Sequence, residues 1–223
     1  MKKILFLTTL ASIYLNALSI EPETQIMSNY VFRGQSQTMN TPSISTKVIL
    51  KHNGFYIGAW ASRVNFDKNN TKHTNSIILD SDAQVDFFTG YELQIGRGRV
   101  GAGYIDRRYV IDSNLESNIS SEYYVFLNLN IGVDATIKGS YDIRNIIDPI
   151  LTEVIFKDIR GSTKSYATYG MFLNSSNAYW KLQVDSPLKY LGLKGYISFS
   201  MSRYIPKVKT KTQDSIFTIS YKF

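Results

Sequence analysis

Hydrophobic and polar residues alternate one for one along most of this chain, and almost nowhere follow the three-to-four spacing of a helix. In AQVDFFTGYELQI, Ala83, Val85, Phe87, Thr89, Tyr91, Leu93 and Ile95 stand against Gln84, Asp86, Phe88, Gly90, Glu92 and Gln94. SEYYVFLNLNI sets Tyr123, Val125, Leu127, Leu129 and Ile131 opposite Tyr124, Phe126, Asn128 and Asn130. ATIKGSYDIR, WKLQVD and GYISFSMSRY repeat the pattern. The chain stops on SIFTISYKF, with Phe217, Ile219, Tyr221 and Phe223 on one side and Thr218, Ser220 and Lys222 on the other. A period of two gives each strand two different faces.

The connections alternate too. HNG (52–54), GRG (96–98), GVD (132–134) and RGS (160–162) are hairpin-like. Between them lie the longer GQSQTMNTP (34–42), DKNNTKHTNSIILDSD (67–82), DSNLESNIS (112–120) and IPKVKTKTQD (205–214). Short turns at one end and long loops at the other are the habit of an outer-membrane barrel. The pattern predicts twelve strands, near 24–33, 43–52, 54–66, 83–96, 98–111, 120–131, 134–145, 150–160, 163–173, 178–185, 192–204 and 214–223. An even count puts both termini at the periplasmic end. IIDP and NSSN are short for extracellular loops, so ten strands also fit the stretch 145–178.

Alternation alone leaves open which face meets solvent, since a soluble lipocalin-like barrel carries the same pattern with its polarity reversed. The polar faces decide it. Asp82, Gln84, Asp86, Phe88, Gly90, Glu92 and Gln94 suit a lumen, as do Asp134, Thr136, Lys138, Ser140, Asp142 and Arg144. In lipid every backbone donor and acceptor must be paired, so a sheet must close on itself. The expected fold is therefore all-β, a transmembrane antiparallel up-and-down β-barrel. Composition agrees: aromatics make up 13%, with 16 Tyr, and many fall near strand ends, where an apolar ring with a polar tip sits well at headgroup level. The closing Phe217, Ile219, Tyr221 and Phe223 resemble the signal read by the barrel-assembly machinery.

At the other end, MKKILFLTTLASIYLNALS has two lysines, an apolar stretch from Ile4 to Leu15 and the small-residue site Ala17-Leu18-Ser19. This is the form of a cleaved secretory signal peptide over 1–19, ahead of one barrel domain over 20–223. The apolar run is shorter than the ~20 residues that span a bilayer. Without Lys2 and Lys3, 23 basic residues face 18 acidic ones, a mild and dispersed excess unlike a nucleic-acid footprint. Cysteine is absent, so disulfides do not hold the fold.

SNYVFRGQSQT (28–38), Pro42, GFYIGAWAS (54–62) and VDFFTGY (85–91) together resemble the opening of the TorF-like porins, a family long catalogued as conserved hypothetical exported proteins. The likeness is best over 28–91, with a weaker echo in NAYWKLQVDSPLKYLGLKGY. YIDRRYV (104–110) departs from it, standing where the family pattern implies a Tyr-rich segment ending in proline. The resemblance implies an outer-membrane channel and supplies no substrate.

Candidate chemistry is sparse. GRGRVG (96–101) matches G-x-G-x-x-G but joins two strands, so it is a hairpin and no cofactor is expected. His52 and His73 fall at opposite ends of the barrel, which leaves no converging metal ligands and no well-placed base for a lipid-modifying barrel enzyme, the lesser alternative function. Predicted lumen-lining bases are Arg33, Lys47, Lys51, Lys138, Arg144 and Lys181; the acids are Asp82, Asp86, Glu92, Glu122, Asp134, Asp142 and Asp185. So mixed a lining predicts weak charge selectivity. Small hydrophilic solutes are the expected cargo, and a plugged structural or surface-interaction barrel is the rival. Lys207, Lys209 and Lys211 form a basic loop flank, read first as a solvated loop and alternatively as a contact for lipopolysaccharide phosphates. DKNNT and ESNIS hold N-x-S/T with an acid two residues before Asn69 and Asn118, a pattern that resembles bacterial N-glycan acceptors.

Overall fold

A computed structural model describes residues 18–66, 81–111, 114–115, 120–145, 148–189, 192–207 and 214–223. Twelve antiparallel strands form the wall: β1 (Ser19–Met27), β2 (Ser43–His52), β3 (Phe55–Arg63), β4 (Ala83–Ile95), β5 (Gly98–Ile111) and β6 (Ser120–Asn130). They continue as β7 (Asp134–Asp142), β8 (Ile150–Arg160), β9 (Thr163–Phe172), β10 (Ala178–Pro187), β11 (Tyr196–Ile205) and β12 (Ile216–Lys222). Each strand pairs with its neighbours in sequence, and β1 pairs with β12 through Gln25–Lys222, Ile26–Tyr221 and Met27–Ser220, so the barrel is closed. No helix occurs among the described residues.

Side-chain polarity is inverted relative to a globular core. Phe55, Ile95, Val125, Leu127, Ile137, Leu182, Phe199, Phe217 and Ile219 point outward and are exposed, Phe217 at 74%. Register keeps them in rows, with Phe199 between Val184 and Ile219. The most buried large side chains are polar: Gln84 at 0% and Glu122 at 1%. Apolar surface this extensive, carried around the ring, is far beyond what soluble monomers expose. The lipocalin-like arrangement, apolar inside and polar outside, is thereby excluded.

Ten of the twelve predicted strands are reproduced to within a few residues. The eleventh starts at Tyr196, four residues late, and the first is displaced: β1 begins at Ser19, and the chain leaves the wall after Met27 instead of running on to Arg33. The cause is a two-residue hairpin in the middle of the expected run. Val31–Phe32 pairs with Gln35–Ser36 across Arg33 and Gly34, both at positive φ (48° and 79°). This is the geometry of a tight primed turn. Arg144 also lies outside its predicted strand, exposed in the turn after Asp142. Asp82 is exposed just ahead of β4.

The stretch 145–178 holds both β8 and β9, giving twelve strands rather than ten. Its short loops are tied down: the Ser175 N–H of the second donates to the Asp148 carboxylate of the first (2.7 Å), and the Asp142 N–H closes the first onto the Pro149 carbonyl (2.7 Å). The signal segment, Asn69, His73, Asn118, Lys209 and Lys211 lie outside the described residues, apart from the segment's last two positions.

Five inward glycines face an aromatic ring directly across the ladder: Gly58–Phe88, Gly90–Tyr56, Gly101–Phe126, Gly103–Tyr124 and Gly170–Tyr179. Each ring lies over the space a Cβ would take. Such pairing covers backbone that glycine leaves bare and keeps large rings flat on the wall. At Gly58 a Cβ would also come within 2.5 Å of the Val48 carbonyl oxygen, whereas Gly139 on β7 has open space. Gly58→Val should therefore lower stability by about 1–3 kcal/mol or more through overpacking. Gly139→Val should stay within about 0.5 kcal/mol, both read by urea unfolding of the refolded barrel.

Candidate functional site

The feature that stands out is the segment 28–42, which folds into the barrel between β1 and β2. Its start is still bonded to the wall, the Ser28 N–H donating to the Ile219 carbonyl (2.8 Å). Asn29, 3% exposed, then clamps the two legs of the segment. Its Oδ1 accepts from Ser36 Oγ (2.7 Å) and Thr38 Oγ1 (2.9 Å), and its Nδ2 donates to Asn40 Oδ1 (2.7 Å). Tyr30 packs on Trp60 with ring centroids 5.2 Å apart, within an apolar cluster that includes Met27, Val64, Phe66 and Tyr109. A small apolar core thus sits inside a polar lumen.

The hairpin tip spans the barrel. Gly34 lies against β11, where a Cβ would come within 2.6 Å of the Arg203 carbonyl carbon and the Tyr204 nitrogen. Both this close approach and its positive φ require glycine. Next to it, Arg33 reaches Glu122 on β6, five strands away around a ring of twelve, with Nη2 2.7 Å from Oε2. The tip therefore ties nearly opposite walls together.

Glu122 is the hub of a buried chain of charge. Its Oε1 also accepts from Arg107 Nη1 (3.1 Å), and Arg107 Nε faces Asp86 Oδ2 at 3.4 Å. Gln84 Nε2 donates to Asp86 Oδ1 (2.8 Å), and Arg107 donates to Ser120 Oγ (3.1 Å), which itself donates to Asp142 (2.7 Å). Both guanidiniums lie over the Phe32 ring, Arg33 at 4.7 Å and Arg107 at 4.6 Å from its centroid. Arg33 and Arg107 balance Asp86 and Glu122, which keeps each buried charge partnered, as burial demands.

Other predicted lining residues fall into separate pairs. Lys138 meets Glu153 (3.3 Å), which also accepts from the Tyr179 hydroxyl, and lies 5.0 Å from the Tyr124 ring centroid. Lys47 pairs with Glu23 (3.4 Å), Lys51 with Glu21 (2.9 Å), and Glu92 with Arg99 (3.7 Å). Asp134 accepts from Asn130 (3.0 Å), and Asp185 from Gln183 (2.7 Å) and Ser198, with Lys222 at 3.6 Å. Lys181 makes no ion pair among the described residues. Asp82 and Arg144 do not join the lumen clusters. His52 sits beside the β2–β3 turn, on the outward parity of β2, with Nε2 3.1 Å from Asn53 Nδ2. GRGRVG turns between β4 and β5 as a hairpin.

Sequence reasoning placed Gln84 on the lumen face but missed Arg107 and Glu153 as parts of this machinery. Arg107 was within reach: the outward parity of Val100, Ala102 and Tyr104 places Arg107 inward, in the YIDRRYV stretch.

Residues 17–143 match the model of a family described as bacterial proteins of unknown function (Gcw_chp). The chain belongs to that family. The matched region spans β1 to β7 and so contains the inward-folded segment together with Asp86, Arg107 and Glu122. No curated protein matches the chain.

Removing Arg107 leaves two buried carboxylates short of a partner. Arg107→Met should cost about 3–5 kcal/mol of stability, against about 0–1 kcal/mol for Arg160→Met, whose pair with Asp158 lies on the surface. Equilibrium unfolding of the two variants under one lipid condition checks this.

Proposed function

We propose that this protein is an outer-membrane barrel of a Gram-negative bacterium that passes small hydrophilic solutes past a constriction made by residues 28–38. The observation that carries it is the inside-out polarity: an exposed apolar wall around a polar lumen. Lipid is the surrounding that such a wall fits, and a closed ladder is what lipid demands. The TorF-like features of SNYVFRGQSQT add to this reading, since that stretch is the inward-folded segment itself. Export through the signal peptide, insertion by the barrel-assembly machinery through Phe217, Ile219, Tyr221 and Phe223, and a lipopolysaccharide-facing loop end belong to the same proposal. So does a transport role without catalysis.

Selectivity by charge should be weak. The constriction carries two guanidiniums and two carboxylates, all engaged with one another, so it offers no ring of one sign. A second reading, a barrel held shut, is favoured by one observation: the Arg33–Glu122 bond bridges nearly opposite walls.

Single-channel recording in planar bilayers separates the two. Small discrete openings with a reversal potential near zero in a salt gradient are the expected result for the unmodified protein. Gly34→Val, which cannot keep the hairpin against β11, should give larger steps. Silence from the unmodified barrel with openings in Gly34→Val moves the shut barrel forward. Silence from both, in protein shown to be folded, ends the channel proposal.

A further inference from the structure

Below the inward-folded segment the lumen holds a cavity of about 120 Å3. Its polar lining includes Gln25, Lys181, Gln183, Ser200, Thr218 and Ser220. The register explains why these groups converge. Gln183, Ser200 and Thr218 are direct ladder partners across β10, β11 and β12, so their side chains stand side by side on the lumen face.

Two groups there lack what their neighbours have. Lys47, Lys51, Lys138 and Lys222 each have a carboxylate within 4 Å, whereas Lys181 has none among the described residues. Asp185, on the same strand, is already held by Gln183, Ser198 and Lys222. Thr218 is 9% exposed, and its Oγ1 is buried without a hydrogen-bond partner. A buried hydroxyl without a partner is costly, and an ammonium facing a cavity with no carboxylate in contact favours an anion there. Met27, Val31 and Trp60 add apolar surface to the lining.

We propose that this cavity is a binding site for a small carboxylate, its oxygens on Lys181 Nζ and the hydroxyls of Thr218 and Ser200, its short apolar substituent against Met27, Val31 and Trp60. The volume fits a few water molecules or one such anion. An ammonium and hydroxyls recognise carboxylate oxygens by charge-assisted hydrogen bonds, and the apolar surface favours a carbon substituent over a fully hydrated inorganic anion. The site depends on lumen geometry and holds whether or not solute passes through.

Titration of the refolded full-length barrel in lipid nanodiscs, by calorimetry or by chemical shifts of the Thr218 methyl, tests this with propionate as probe. Propionamide, its neutral counterpart of similar shape, and inorganic phosphate are the comparisons. Saturable propionate binding is expected, with propionamide and phosphate each at least about tenfold weaker, the loss expected when a charge-assisted contact or the apolar fit is missing. Lys181→Met and the isosteric Thr218→Val should each weaken propionate by about tenfold, while Arg144→Gln, outside the lumen, should leave it unchanged. Equal binding of propionate and propionamide overturns the proposal, as does tighter phosphate binding, no saturation, or full affinity in a folded Lys181→Met or Thr218→Val barrel. Since conductance is not read, failure here leaves the channel proposal standing, and silence in bilayers leaves this one standing.

Discussion

Everything in this molecule depends on the closure of one hydrogen-bonded ladder. The short pairing of β1 with β12 leaves no free sheet edge among the twelve strands. A closed sheet can turn its apolar side chains outward without exposing backbone donors and acceptors to an apolar surrounding. The same closure sets the radius of the interior, and the interior must then be filled with something. Here it is filled by polar side chains and by a piece of the chain itself.

How that piece is held follows from the physics of buried charge. Arg33 could not stay inside the barrel unpaired, and Glu122 could not stay at 1% exposure without guanidinium partners. Each makes the other tolerable, and Arg107 links both to Asp86. Phe32 adds a cation–π contact to both guanidiniums. The segment is therefore docked by specific contacts, with the small cluster around Tyr30 and Trp60 supplying apolar packing beneath it. Glycines opposite aromatic rings make room along the same wall: five large rings lie flat where ordinary packing would have pushed them into the lumen.

Much of the wall was legible in the chain. Strict alternation sets the face of every residue once one position in a strand is assigned, so Lys47, Glu92, Lys138 and Lys181 were placed on the inner face by parity. Tight turns such as Asn53–Gly54 announce themselves by residue type. The errors fell at strand ends, where alternation loses its hold. Arg144 and Asp82 share inward parity, yet lie beyond the last wall residue of their strands. Arg33 was counted as wall because apolar residues precede it, although the Arg-Gly pair marked a turn.

The sequence by itself determined the class, the strand count within a narrow range, and the two-faced character of each strand, because these are local properties of a period-two pattern. Which inward charges meet and where the connection 28–42 goes were decided by tertiary structure alone. Glu122 and Arg33 are 89 residues apart in the chain and 2.7 Å apart in space. No local pattern encodes that distance; it exists only once twelve strands have closed and brought the far wall within reach of an arginine.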